Sequence, residues 1–364
     1  APGVVDLVTL AGEGQGWLEE QTLRGVPRFR IPGVGFVTFE PGGQLEISTR
    51  PYQRVDDLLL VVEAALGRIF EAGDRLGVRL VTRGMDPVNS ADGASLLVAS
   101  DRYRKQSRHY EAVGPWGRRM MLQSAAIHVN VDLGGRPARR WEVANRMAAA
   151  MTALFANSPR YGGRETGCRS FRAEQWRHLD PTRTGVFSEQ SDPAGAYTDF
   201  ALDALDFLSP PDGAPSLPFR ESWAVGASLE SWREHLTTVF PEVRPRGYLE
   251  LRSFDALRPA WVAAPLVVVS GILYEPGALA EAEELLPPAE AGMLVAAGRS
   301  GLRAPEIRAT AAELYDLGLR GAERLGQEVV GGAALEVARA YRDRFVTRGE
   351  DPGDEPEGLD PFER

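Results

Sequence analysis

The chain has 364 residues, 43% of them hydrophobic, which suits one large core or two ordinary ones. Its net charge of −10, from 51 acidic against 41 basic residues, argues against general nucleic-acid or anionic-membrane binding. A single cysteine, Cys168, excludes an intrachain disulfide and a cysteine-based zinc site and fits a reducing, cytoplasmic compartment.

In chain order, the region from Val4 to Glu20 can form a short helix. Phe36 to Ser48 alternates on both sides of Pro41-Gly42-Gly43 and reads as a hairpin. Leu58, Leu59, Val62, Ala65, Leu66 and Ile69 recur at helical spacing and predict a helix over 55–72. Val78 to Thr82 reads as a strand, and 91–117 as polar irregular chain with a helix near 102–111. Met120 to Asp132 reads as a strand and Trp141 to Ala156 as a helix stopped by Asn157-Ser158-Pro159. The proline-rich 209–218 is a candidate loop between two halves. A helix over 229–238, a strand over 246–254 and helices from Ala278, Ala304 and Ala333 follow. The longest apolar run, 261–273, contains Pro265 and is too short to span a bilayer. The acidic tail, 349–364, is expected to fray. Strands mixed irregularly with helices favour an α+β fold, and the four polar-faced strands are expected to share one mostly antiparallel sheet.

Two strands put ionisable groups on one face. Strand side chains alternate, so His128, Asn130 and Asp132 line up together, as do Tyr248, Glu250 and Arg252, while Val129, Val131, Leu249 and Leu251 can face a core. If the hairpin turn is centred on Gly43, Glu40 and Glu46 stand directly opposite. Like charges there are unfavourable unless a cation bridges them, and hard oxygen ligands suit Mg²⁺. A longer turn would instead leave both as solvated edge charges. His128 is either a hydrogen-bonded core histidine or a ligand. Glu250 and Arg252 are either a surface ion pair, contributing ~0–1 kcal/mol, or part of a phosphate site. Arg160, Arg164, Arg169, Arg172, Arg177 and Arg183 form a basic cluster that is either a solvated loop or a trap for anionic substrate groups. No Walker loop and no Gly-x-Ser-x-Gly element is present.

Six segments, in order, resemble the glutamate–cysteine ligase family of plant, alphaproteobacterial and actinobacterial type. They are Glu-Pro-Gly-Gly-Gln-Leu-Glu-Ile-Ser (40–48), Ile-His-Val-Asn-Val-Asp (127–132), Phe-Ala-Asn-Ser-Pro (155–159), Gly-Cys-Arg-Ser-Phe-Arg-Ala-Glu-Gln-Trp (167–176), Asp-Pro-Thr-Arg-Thr-Gly (180–185) and the run from His235 to Arg252. The forms at 155–159 and 180–185 look most like the branch that makes γ-glutamylcysteine for ergothioneine.

The resemblance implies a glutamine-synthetase-like curved antiparallel sheet with flanking helices, in one catalytic domain over 1–348. It implies ATP-dependent joining of the glutamate γ-carboxylate to the cysteine amine through an acyl phosphate, with Mg²⁺ as cofactor and small molecules as partners. By motif match, Glu40, Glu46, His128 and Glu250 are metal ligands. Arg252 contacts phosphate, with Asn130 and Arg183 as further nucleotide contacts. Arg172 holds glutamate, with Arg169 as second choice, and Tyr110 and Trp176 are aromatics available to the substrates. The family's first strand carries a Gly-x-Glu-x-Glu motif that does not precede Glu40 here, so a missing N-terminal strand is expected. A ligase for another amine and a non-catalytic nucleotide-binding homologue are the alternatives.

Overall fold

The computed structural model describes residues 3–22, 25–98, 100–188, 190–210, 215–356 and 362. Two small sheets carry the architecture. The first is a four-stranded antiparallel meander of β1 (Leu18–Glu20), β2 (Arg28–Ile31), β3 (Gly35–Phe39) and β4 (Leu45–Thr49). The second holds β5 (Ala126–Asp132), β6 (Val243–Pro245) and β7 (Tyr248–Asp255), with β7 in the centre. The expected single sheet is therefore two among the described residues. Alternation dictates the face a strand presents but not the strand it pairs with.

In β5 and β7 the aliphatic set turns inward as the pattern requires. Val129, Val131, Leu249 and Leu251 are buried in the larger core, against α5 (Pro137–Leu154) and the helices Ala263–Tyr274, Pro305–Leu325 and Gly332–Tyr341. Each such side chain contributes roughly 1.5–3 kcal/mol by leaving water. The opposite face is thereby left to His128, Asn130, Glu250 and Arg252. The apolar run near 261–273 is the helix Ala263–Tyr274, buried in that core, and no single helix among the described residues is long and apolar enough to cross a membrane.

The helix α2 (Val55–Leu76) joins the two sheets. Val55 and Leu59 enter the larger core, while Ala65, Ile69 and Ala72 enter a second core beneath the meander. It ends in a left-handed Gly77, with Val78 N–H donating to the Gly73 carbonyl, a helix-closing turn. That turn takes up Val78, so the strand expected over 78–82 does not form. The strand expected from Met120 begins only at Ala126, because 115–123 is α4 (Pro115–Gln123), with Pro115 at its first turn and Met120, Met121 and Leu122 buried. Ahead of it, α3 (Asp101–Glu111) is capped by Ser100.

Two further expectations change. Leu205–Asp206 pairs antiparallel with Leu217–Pro218, so 209–218 closes a local hairpin rather than dividing two halves; residues 211–214 of that loop lie outside the described residues. The expected flexible tail packs down over its first part. Asp351 and Glu355 are buried, Asp351 on Arg169 and Glu355 on Arg258, and Arg83 donates to the carbonyls of Pro352 and Glu355. Beyond 356 only Phe362 is described; its ring meets Phe70 edge-on at 5.6 Å.

Candidate active site

The β3–β4 turn is tighter than a Gly43-centred one. Thr38 faces Glu46 in the register, and Glu40 exchanges backbone hydrogen bonds with Gln44 and Gly43. Glu40 and Glu46 are thus diagonal neighbours on one face, not directly opposed. Gly42 is required here: a Cβ on it would stand 2.1 Å from the Leu122 carbonyl oxygen of α4. The two carboxyls nevertheless meet. Burial, a hydrogen bond with Glu46 and the Glu46 charge push Glu40 up to about 8, against the pull of Arg102 and Arg252. Two carboxyls joined this way need one proton between them. Ser48 donates to Glu46 Oε1 on the same face.

The second sheet supplies an arginine shelf. Glu250 faces Asn130 of β5 on one side and Arg244 of β6 on the other. Arg244 Nη2 donates to both Glu250 oxygens at 2.8 and 2.9 Å, Arg252 Nη1 donates to Oε1 at 2.6 Å, and Arg246 lies 3.5 Å from Oε2. His128 Nδ1 stands 3.6 Å from Glu250 Oε1. Burial alone would raise the Glu250 carboxyl, but the charges of Arg252 and Arg244 hold it well below the usual range. His128 is deep in the molecule yet open at the cleft, 36% exposed. Its surroundings disfavour a charged imidazolium, Arg252 adds repulsion, and together they outweigh the attraction of Glu250. A neutral ring is the form that can ligate.

Arg252 links the two sheets electrostatically, since its charge acts on both Glu40 and His128. Its guanidinium also lies over Trp176 at 5.4 Å and Phe240 at 5.5 Å. Below it, Arg172 of the short helix α6 (Phe171–Arg177) donates to the Arg252 carbonyl at 2.9 Å and lies 3.7 Å from Asp255. Asp255 is fully buried and fastens the surrounding loops, accepting from Asn157 N–H, Ser158 Oγ and Ser170 Oγ at 2.7–2.9 Å. Gly84 is pressed against it: a Cβ there would lie 2.5 Å from the carboxyl carbon. Ser170 also caps α6. The Phe-Ala-Asn-Ser-Pro segment and the start of α6 thus meet on one buried carboxylate that aims Arg172.

A sequence profile for glutamate–cysteine ligase family 2 matches residues 16–355. The chain belongs to that family. The glutamate–cysteine ligase EgtA of Mycolicibacterium smegmatis is 31% identical over 346 residues, covering 88% of this chain and 80% of the relative. Its namesake from Mycobacterium tuberculosis is 30% identical, covering 89% and 78%. The chloroplastic glutamate–cysteine ligase of Brassica juncea is 28% identical, covering 84% of this chain and 65% of the plant protein.

Against the expected family roles the structure sorts the residues. Arg172, Arg252 and Trp176 line one pocket, His128 and Glu250 lie together beside Arg252, the Arg252 charge reaches Glu40, which meets Glu46, and Asn130 is exposed beside Glu250. Three others do not join them. Arg169 grips Asp351 at 2.5 and 2.7 Å and Asp354 at 2.7 Å, holding the C-terminal segment. Arg183 is fully buried on Asp180, Thr238 and the Leu205 carbonyl, with its guanidinium over Phe207. Tyr110 is fully buried in the core beneath the meander, its phenol pushed up to about 12 by burial. For these three, packing and ion pairing explain the residue type. The four expected metal ligands also do not form one cage: among the described residues no group of three or more His, Cys, Asp or Glu could hold a metal ion. Glu250 is instead matched by arginines, which hold its carboxyl down, whereas Glu40 is the carboxyl pushed up.

Sequence reasoning missed Arg244, Arg246, Glu242 and Asp255. A signal existed for the first two. Arg246-Gly247 sits between two alternating stretches, and Gly247 adopts φ +81°, so the chain folds back and sets Arg244 across from Glu250. Asp255 gave no signal, because its partners lie about 85 to 98 residues away.

Proposed function

We propose that the chain is an ATP-dependent ligase that joins the γ-carboxylate of glutamate to the amine of cysteine, giving γ-glutamylcysteine, ADP and phosphate through an acyl phosphate. The observation that carries this reading is an acidic pair, Glu40 and Glu46, within electrostatic reach of Arg252, itself part of a shelf of arginines on Glu250. A polyphosphate needs both: a cation held by carboxylates and guanidinium groups for its free oxygens.

The residues fit Mg²⁺ in a specific way. Mg²⁺ is commonly held by one or two carboxylates plus substrate phosphates rather than by a full protein cage. Glu40 and Glu46 are such a pair, and a cation would take the place of the proton they share. When bound, it would neutralise phosphate charge and polarise the transferred phosphoryl group.

Arg252 then holds a phosphate oxygen while its ring neighbours, Trp176 and Phe240, limit its rotation. Arg172 holds the glutamate α-carboxylate, leaving the γ-carboxylate toward the nucleotide. The γ-oxygen attacks phosphorus and ADP leaves; the cysteine nitrogen then attacks the acyl carbon, phosphate leaves and the nitrogen loses a proton. The two sheets form the walls of a glutamine-synthetase-like concave site, and the product serves ergothioneine formation.

A nucleotide-binding homologue without turnover is the second reading, favoured by the want of a three-ligand cluster among the described residues. One assay separates them: ADP release with glutamate plus cysteine, with glutamate plus other amines, and with Mg²⁺ withheld. The ligase reading expects Mg²⁺-dependent turnover that is greatest with cysteine. Nucleotide binding without ADP release would establish the second reading, and preference for another amine would reassign the acceptor.

A further inference from the structure

Beside the shelf lies a small open pocket whose lining includes a carboxylate, Glu242, that the metal and phosphate roles do not use. Arg172, Arg252, Glu242 and Ser253 line it together with the rings of Trp176 and Phe240. Glu242 sits just before β6. Arg177 holds its Oε1, Ser253 Oγ donates to its Oε2 at 2.7 Å, and its carbonyl accepts from Arg252 N–H at 2.9 Å. The carboxylate is therefore fixed in place, yet an ionised carboxylate has about four acceptor positions and these two donors occupy only two. Trp176, which also lines the pocket, has a buried indole N–H with no partner among the described residues.

With Arg252 given to the phosphate, one cation, Arg172, one anion, Glu242, and apolar walls match the head of a free α-amino acid. A simple dicarboxylate would need only the cation. We propose that Glu242 receives the α-ammonium group of the glutamate substrate and is the residue by which this pocket selects an amino acid over a dicarboxylic acid of the same length. This rests on the reading in which Arg172 holds the α-carboxylate. The ammonium donates to the open positions of the Glu242 carboxylate, and Ser253 and Arg177 keep that carboxylate from turning away.

The test uses glutamate and glutarate, which differ only by the ammonium group. Both are titrated calorimetrically into the full chain with Mg²⁺ and a non-hydrolysable ATP analogue. The unmodified protein should prefer glutamate by at least about tenfold. Glu242→Gln should bring the two within about threefold, mainly by weakening glutamate. Arg177→Gln, which removes the neighbouring cation and leaves the carboxylate, should keep the preference. Equal binding of the two ligands by the unmodified protein overturns the assignment, and this arm needs no variant to fold. A tenfold preference that survives in Glu242→Gln overturns it too, as does an equal loss in Arg177→Gln, which would mark a merely structural pair. Binding of neither ligand would overturn the reading of the pocket as a substrate site, and the Glu242 assignment with it.

Discussion

Arg244 holds both oxygens of Glu250 with one nitrogen, Nη2, from the position directly across the strand pair. Arg252 and Arg246 crowd the same carboxylate. Both Arg244 and Glu250 are buried, so each is the other's compensation. Removing one partner of a buried pair leaves an unmatched charge and costs about 3–5 kcal/mol. Glu250→Gln is expected to lose stability on that scale in urea unfolding, even without nucleotide. Adding Arg244→Met should recover more than half. A loss below about 1 kcal/mol would show that water already screens the pair.

The acidic pair should behave in the opposite way. Glu40 and Glu46 meet, and the charges of Arg102 and Arg252 only partly offset their repulsion once both ionise. Above about pH 8, without divalent cations, Glu46→Gln should stabilise the fold by up to ~1 kcal/mol, the scale of a like-charge cross-strand contact. The same change should weaken Mg²⁺-nucleotide binding. Thermal unfolding with and without Mg²⁺ and nucleotide reads both effects. A variant less stable than the parent without cations would contradict the contact.

His235 gives the fold an acid limit. It is fully buried, donates from Nε2 to the Ala201 carbonyl at 2.8 Å, and stacks on Phe219 at 4.4 Å; Nδ1 has no partner among the described residues. Burial, opposed in part by the Ala201 bond, lowers it from 6.5 to about 4. The folded pKa lies below the unfolded one, so the unfolded chain takes the proton first as pH falls. Stability is complete above pH 6.5 and falls toward pH 4, by roughly 1.4 kcal/mol per pH unit in mid-window. Other groups titrate there, so the readout is a difference. His235→Gln should be less stable at pH 7.5 but lose less between pH 6.5 and 4.5. Parallel pH profiles would exclude His235.

Periodicity made much of this legible. Val129, Val131, Leu249 and Leu251 had to face a core, and that alone turned His128, Asn130, Glu250 and Arg252 to the cleft. The helix at α2 and the β3–β4 hairpin followed from spacing and from Pro41-Gly42-Gly43. What sequence could not yield was pairing at a distance. The two sheets remain separate, Arg169 meets Asp351, and Asp255 meets Ser158 and Ser170 through contacts no local pattern encodes. Arginine was the hardest residue to place, because a phosphate and a buried aspartate satisfy it equally well.

That ambiguity is sharpest for Arg169 and Arg172, three residues apart in one motif. Arg169 has its guanidinium on Asp351 and Asp354, while Arg172 lines the pocket and meets the Arg252 carbonyl and the flank of Asp255. A lysine in either place keeps the charge but cannot reproduce the planar fork. At Arg169 the loss should appear as stability, because Asp351 is buried and the C-terminal segment depends on the pair. At Arg172 it should appear as recognition: a charge-assisted hydrogen bond contributes ~1.5–3 kcal/mol, so Arg172→Lys should raise the Michaelis constant for glutamate by roughly tenfold or more. The constants for ATP and cysteine should move little. Arg169→Lys should leave all three near those of the parent while lowering the melting temperature. Steady-state kinetics with each substrate varied in turn, beside thermal unfolding of both variants, decides the matter. A glutamate-specific defect in Arg169→Lys and none in Arg172→Lys would exchange their roles, and a defect confined to ATP in Arg172→Lys would move that residue to the phosphate side of the cleft.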